Sequence, residues 1–293
     1  MIVVSTPTGT IGSKLAELLL ERGEAVRVIA RDPSKLAAAV QDGAETIVGS
    51  HADPAVLDAA LAGADAYFLI VPPNGQADSV EGHYVEYGRQ ARAAIERGGV
   101  GHAVMISTMG GGNDRAGHLS AARAAEAELG RSGAAVRAIA PPFFMENLLN
   151  QVRAIEAGVI ALPSDADRIL PVVAAADLSA VAADLLSDLS WTGVARVPVS
   201  SPDALTPIEL TRTVAETLGR ALTYNQIPTD QYAEQLRGYG MSAAWADGIA
   251  EMAVAQNAGF YDSEIDEARG KAPTTLAQWT ETVLKPIVDT TDA

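Results

Sequence analysis

The chain has 293 residues, with 37 acidic against 21 basic side chains and a formal net charge of -16. It has no cysteine, which excludes disulfides, thiolate metal centres and thiol nucleophiles. The acidic excess argues against nucleic-acid binding, which needs Lys and Arg clustered on phosphates, while a hydrophobic content of 48% is that of a folded chain.

The first residues carry no basic stretch ahead of an apolar core, and no apolar run nears the roughly 18 residues that a membrane span needs. The sequence therefore predicts a cytoplasmic protein without a membrane partner. Apolar, often β-branched runs at 2–5, 25–30, 45–48, 66–71 and 103–107 alternate with helix-length stretches at 11–22, 33–42, 54–62 and 80–97. In the first helix Leu15, Leu18 and Leu19 recur at helical spacing, and Gly23 stands where a C-cap is wanted. Strands alternating with amphipathic helices imply a parallel sheet with helices on both faces. The pattern continues through a helix at 119–131 and a strand at 135–139, then loosens after Pro141-Pro142. Helices are expected at 145–157, at 176–189 with Asp177 as an N-cap, at 207–219 and at 276–283. Strands are expected at 194–199 and 222–227, and the chain from Pro228 onward reads as mostly helical.

The segment Val3-Val4-Ser5-Thr6-Pro7-Thr8-Gly9-Thr10-Ile11-Gly12 lies between the first strand and the first helix. A dinucleotide-binding fold places its glycine turn there, with backbone N–H groups and the helix dipole facing a pyrophosphate. Gly9 would let the backbone approach the phosphate, and Gly12 would let the helix pack on the strand. An ordinary strand-to-helix turn is the plain alternative. The second strand ends in Arg31, with Lys35 four residues on. An acidic residue at that tip would suit the ribose of NAD, whereas two cations suit the extra 2′-phosphate of NADP(H). A solvated basic pair is the competing reading.

These residues resemble the NmrA-like group of atypical short-chain dehydrogenase/reductases, including bacterial quinone and triphenylmethane reductases. The likeness runs through Ile2-Val3-Val4 with Gly9-Thr10-Ile11-Gly12, Arg31-Asp32-Pro33, the 61–66 stretch, His102-Ala103-Val104 leading to Ser107, the 141–148 stretch, and Leu205-Thr206 to Leu218-Gly219-Arg220. It implies an α/β fold: a Rossmann-type doubly wound parallel sheet with a smaller, mostly helical C-terminal lobe. Residues 1–150 would bind the dinucleotide and 151–293 the substrate, with some chain crossing back to the sheet. The resemblance implies phosphate contacts from Thr6, Thr8, Gly9, Thr10, Ile11 and Gly12, and 2′-phosphate contacts from Arg31 and Lys35. Val71 and Pro72 would run beside the ribose; Ser107, Thr108, Pro142 and Phe143 would border the nicotinamide. The chain departs from the family's Gly-Ala-Thr-Gly-x-x-Gly opening, with Thr6 for the first Gly and Pro7 for the Ala. A Cβ and a fixed proline φ at the turn would crowd the pyrophosphate. The family's Gly-Asp after the third strand reads Gly49-Ser50, and its Arg before the first proline reads Ala140.

Catalytic groups are sparse. The superfamily's Tyr-x-x-x-Lys pair is absent: Tyr84 is followed at the fourth place by Gly88, and Tyr87 by Ala91. Where relatives carry Lys or His on the helix after the fifth strand, this chain has Ala122. His118, one turn earlier, is the candidate proton donor, against a capping or solvated loop histidine. Ser107 and Thr108 would hydrogen-bond a substrate carbonyl or act as caps. Tyr84, Tyr87 and Trp245 read as packing, with an aromatic pocket wall as the alternative, and His83 as a solvated helix residue. The Gly110-Gly111-Gly112-Asn113-Asp114 run reads as a lid near the cleft mouth. Four His and no Cys imply no metal site. The expected function is an NADPH-dependent reductase of a quinone-like or conjugated small molecule, the cofactor supplying the redox chemistry. Two alternatives stay open: a cofactor-independent cyclase or isomerase, and an NADP(H)-sensing regulatory protein. The sequence does not fix the oligomeric state, and a homo-oligomer is open.

Overall fold

The computed structural model describes residues 1–111 and 115–291. In chain order its strands are β1 (Ile2–Val4), β2 (Val26–Ala30), β3 (Glu45–Val48), β4 (Ala66–Leu69), β5 (His102–Ile106), β6 (Ala135–Ala140), β7 (Phe143–Phe144), β8 (Val159–Leu162), β9 (Val172–Val173), β10 (Val194–Pro198) and β11 (Thr223–Gln226). The helices are α1 (Thr10–Glu21), α2 (Ala38–Gly43), α3 (Pro54–Leu61), α4 (Val80–Gly98), α5 (His118–Leu129), α6 (Val152–Glu156), α7 (Ala175–Ser187), α8 (Pro207–Leu218), α9 (Thr229–Gly238), α10 (Ala243–Asn257), α11 (Ile265–Ala268), α12 (Leu276–Trp279) and α13 (Lys285–Thr291).

Seven strands form one parallel sheet in the order β3-β2-β1-β4-β5-β6-β10. The inner strands are covered on both faces, so β1 and β4 are buried from end to end and need no polar alternation. One face packs Ile2, Val4, Val28 and Phe68 against Leu15 and Leu19 of α1 and Leu178 and Ala182 of α7. The other packs Val3, Tyr67, Leu69 and Met105 against Leu57 and Leu61 of α3, Ile95 of α4 and Leu129 of α5. The strand order reverses between β1 and β4, and a crevice opens there beyond the carboxyl ends of the strands.

The C-terminal lobe has its own core, in which Met145, Leu148, Ile160, Leu210, Val214 and Trp279 meet. Parallel pairs β8–β11 and β7–β9 edge it. The chain does not stay in the lobe: α7 packs on α1, and β10 extends the main sheet beside β6. Among the described residues no helix is long and apolar enough to cross a membrane.

Three local expectations are corrected. The helix expected at 33–42 is broken. A 3₁₀ turn at Pro33–Lys35 is closed by the Asp32 carboxylate on the Ser34 N–H, Leu36 and Ala37 are extended, and α2 starts at Ala38. Leu36 is drawn into the core, and that docking interrupts the helix. The helix expected at 145–157 begins instead as a 3₁₀ helix, Met145–Gln151, before the short α6. Met145 and Leu148, three residues apart and both fully buried, match three residues per turn. Asp177 is not an N-cap. It sits inside the first turn of α7, and its carboxylate accepts from the Thr274 N–H at 3.0 Å and the Thr274 hydroxyl at 2.9 Å.

Candidate active site

A cleft of about 430 Å³ lies over the carboxyl ends of β1, β2, β3 and β4. Its lining includes Thr6, Pro7, Thr8 and Gly9 of the turn, Arg31 at the tip of β2, His51 after β3, and Pro72 after β4. Helix α4 closes it with His83 and Tyr87. The turn is held by the Gly9 N–H on the Thr6 carbonyl at 3.1 Å. No non-glycine residue among those described has a positive φ, so Thr6 takes the place of a glycine without backbone strain. Gly12 is required by proximity: a Cβ there would lie 2.0 Å from the Thr6 carbonyl oxygen.

The residues present fit a dinucleotide with a 2′-phosphate. The N-cap of helix α1 is Gly9, which has no side chain to cap it, and this leaves the first N–H groups of the helix for an anion. Thr6 Oγ1 is buried without a hydrogen-bond partner beside them. Arg31 is exposed and has no carboxylate partner among the described residues, since Asp32 turns away to Ser34. His83 donates from Nε2 to the Pro72 carbonyl at 2.8 Å, which ties α4 to the loop after β4. The expectation of a solvated His83 is thus corrected.

A second cavity of about 330 Å³ lies over β5 and β6, between the sheet and the lobe. Ser107, Thr108, His118, Ala122, Pro142 and Phe143 line it from the sheet side. Asn147, Tyr232, Met252, Gln256 and Tyr261 line it from the lobe. No charged side chain is among its lining residues. Tyr84, one residue after His83, brings α4 into this wall as well. The Tyr261 hydroxyl meets two side chains, the Gln256 amide, which donates to it at 2.7 Å, and the Thr108 hydroxyl. Burial pushes the Tyr261 phenol up to about 12, so it stays protonated at neutral pH.

His118 begins α5, with its ring set edge-on to Trp245 at 4.3 Å between centroids. Its Nε2 lies 3.2 Å from the Trp245 carbonyl. A carbonyl only accepts, so Nε2 carries the hydrogen and Nδ1 the lone pair. Burial lowers the pKa and favours this neutral form. In that state His118 offers the cavity an acceptor and not an acid. Ser107 donates to Glu126 Oε2 at 2.6 Å.

The loop after β5 is tethered from below. Arg196 of β10 pairs with Glu126 at 3.2 Å and with Glu264, and donates to the Thr108 carbonyl. Glu264 in turn accepts the Gly110 N–H at 2.7 Å. The proposed lid runs on past Gly111, but Gly112, Asn113 and Asp114 lie outside the described residues.

The family model for the NmrA-like family matches residues 1–283. The chain belongs to that family. The chain is 30% identical over 258 residues to the NAD(P)H azoreductase of Xenophilus azovorans, covering 86% of each. It is 33% identical over 234 residues, 78% of each chain, to the (4-alkanoyl-5-oxo-2,5-dihydrofuran-3-yl)methyl phosphate reductase of Streptomyces griseus. The fold matches the NADPH-dependent quinone oxidoreductase of Escherichia coli solved with NADPH, with a TM-score of 0.78 at 23% identity over 97% of this chain and all of that one.

For an NmrA-like chain, the expected positions divide between the two cavities. Thr6, Thr8, Gly9, Arg31 and Pro72 line the first; Ser107, Thr108, His118, Pro142 and Phe143 line the second. Thr10, Ile11, Gly12 and Val71 stand behind the first without lining it. Lys35 is not brought to the cleft; its ammonium is exposed, 3.9 Å from Asp32. Sequence reasoning overlooked His51, Tyr261 and Gln256. Position just past a parallel strand could have found His51; nothing local marks the other two.

Proposed function

We propose that this chain is an NADPH-dependent reductase of an uncharged, conjugated acceptor of the quinone or azo type. The observation that carries the proposal is the pairing of the two cavities, joined along α4 by the neighbours His83 and Tyr84. The first offers an uncapped helix end and an unpaired Arg31; the second has aromatic, aliphatic and amide walls and no charged side chain. The named activities of the relatives support an oxidoreductase that uses NAD(P)H. The lining also separates the substrates of those relatives. A phosphorylated furanone needs a cation in the acceptor pocket, and this cavity supplies none, so a neutral planar acceptor fits better.

The bound dinucleotide supplies the hydride. The Thr6–Gly9 turn and the α1 N-terminus hold its pyrophosphate, and Arg31 holds its 2′-phosphate. Ser107, Thr108 and His118 orient the acceptor from the sheet side. Tyr261, held by Gln256 and Thr108, places a protonated hydroxyl on the cavity wall, and the acceptor's oxygen or nitrogen competes with Thr108 for its hydrogen. Met252 from the lobe and Phe143 from the sheet side keep the cavity dry.

The test is a titration with NADPH and NADH followed by nicotinamide fluorescence, then NADPH oxidation with a naphthoquinone and an azo dye as acceptors. Submillimolar NADPH binding, weaker NADH binding and acceptor-dependent oxidation are expected. Turnover independent of NADPH would instead favour a cyclase or isomerase, and binding without turnover a sensor.

A further inference from the structure

The loop after β4 carries a dipeptide that the fold does not ask for. Asn74-Gly75 is the one Asn-Gly pair in the chain. Gly75 does not have a positive φ, and a Cβ placed on it would make only an ordinary contact, 3.6 Å from Met241 Cγ. An alanine would fit there, so the turn does not explain the glycine. What the glycine leaves is an uncrowded backbone nitrogen. Among the described residues no acceptor takes the Gly75 N–H. Asn74 is exposed, and its side chain curls back over the turn, where Oδ1 accepts the Gln76 N–H at 3.1 Å. The Asn74 carbonyl accepts the Ala77 N–H at 2.9 Å and closes the turn.

These features favour one reaction. A backbone nitrogen with no partner can lose its proton and attack the side-chain amide carbon of the residue before it. The Gln76 N–H already points at the oxygen on which negative charge develops, as a donor in an oxyanion hole does. We infer that Asn74 is a site of spontaneous deamidation. The Gly75 nitrogen bonds to Asn74 Cγ, the side-chain nitrogen leaves as ammonia, and a cyclic succinimide results. Water then opens the ring at either carbonyl. One product is aspartate; the other is isoaspartate, whose main chain runs through the β-carbon. Both carry a negative charge that asparagine lacks.

The position gives the change a consequence at both cavities. Asn74 lines the dinucleotide cleft beside Pro72. The same turn also fastens the lobe: the Gly75 carbonyl accepts the Ser242 N–H at 2.7 Å, and the Gln76 side-chain amide donates to the Gly240 carbonyl at 2.6 Å. The Ser242 hydroxyl donates to the Ala77 carbonyl at 2.7 Å. Ser242 is the N-cap of α10, the helix that brings Met252 and Gln256 to the acceptor cavity. The new charge opposes a polyanion in the cleft, and the extra main-chain carbon of isoaspartate shifts the Gly75 carbonyl away from Ser242.

The effect on affinity rests on the cofactor reading above; the modification itself does not. The protein is held in warm, mildly alkaline buffer for days, and the same samples are read by peptide mass spectrometry and by NADPH titration. Asn74 should convert to the acid in both forms, faster as the pH rises. Asn147, Asn150, Asn225 and Asn257, each followed by a residue with a side chain, should stay amides. Gly75→Ala should slow the conversion about tenfold and, when fresh, bind NADPH as the wild type does. The converted fraction of the wild type should bind NADPH about tenfold more weakly. Asn74→Asp, which adds the charge without lengthening the main chain, should show part of that loss at once. An Asn74 that stays an amide, or converts no faster than Asn225 or Asn257, overturns the inference. Conversion without loss of affinity overturns its bearing on the cleft. If fresh protein fails to bind NADPH at all, the cofactor reading falls, and the mass measurement still decides whether Asn74 is modified.

Discussion

The two cavities are built by different means. The dinucleotide cleft is made by one turn, three strand ends and a helix end, so most of its shape is backbone. The acceptor cavity is made by side chains from segments around residues 84, 107, 142, 162, 232 and 256, which meet only in the folded molecule. A backbone site tolerates changes of side chain, as Thr6 and Pro7 in a glycine-rich turn illustrate. A side-chain site depends on whatever holds its segments in place. In this chain that is an ion-paired cluster centred on Arg196.

The largest test of this contrast is therefore at Arg196. Arg196→Met strands Glu264, leaves Glu126 with only Arg123 at 3.8 Å as a cation, and releases the Thr108 carbonyl, and should lower stability by about 4 kcal/mol in urea denaturation, as for a broken buried pair. The matching point on the backbone side is Gly12. Gly12→Ala drives a Cβ into the Thr6 carbonyl and should cost about 3 kcal/mol, seen as a lower melting temperature with NADPH binding impaired.

Acid should act on the fold through the cleft. The folded state holds His51 near 4, against 6.5 when unfolded. Between those values the unfolded chain binds a proton that the folded one refuses, so stability falls as pH drops from 6.5 toward 4 and levels off below. His51 contributes about 3 kcal/mol to that loss, and His51→Gln should flatten the curve by that amount. At Arg31 the effect is on affinity: Arg31→Ala should weaken NADPH about 30-fold and leave NADH within twofold. The smallest effect is expected at Tyr261. Tyr261→Phe should reduce kcat about tenfold with the NADPH dissociation constant unchanged.

The same contrast explains what the sequence discloses. The turn from Val3 to Gly12 and the cation at Arg31 are readable because strand, turn and helix follow one another in the chain. The alternation of strands and helices likewise yields the sheet. Lys35 was expected beside Arg31 on the strength of a continuous helix. The extended residues Leu36 and Ala37 end that helix and leave Lys35 facing outward. On α4, His83 and Tyr87 lie four residues apart and so share a face, but periodicity alone does not say that the face looks into a cleft. The pairing of Gln256 with Tyr261 and the tether from Arg196 to Glu264 join residues by tertiary packing. No spacing rule anticipates them. Strands β7 and β9, two residues each, are too short to leave a pattern.

The late arrival of α7 and β10 has a consequence for biosynthesis. When residue 150 leaves the ribosome, β6 is still an open edge and the groove of α1 that α7 will fill is bare. About 50 further residues must be translated before both are covered, roughly 2.5–10 s at ordinary elongation rates. Through that interval the nascent chain shows an unpaired parallel strand and an apolar helix face, the surfaces that recruit other chains. Chaperone dependence during synthesis should exceed that of the finished protein refolding from denaturant, where both halves are present from the start.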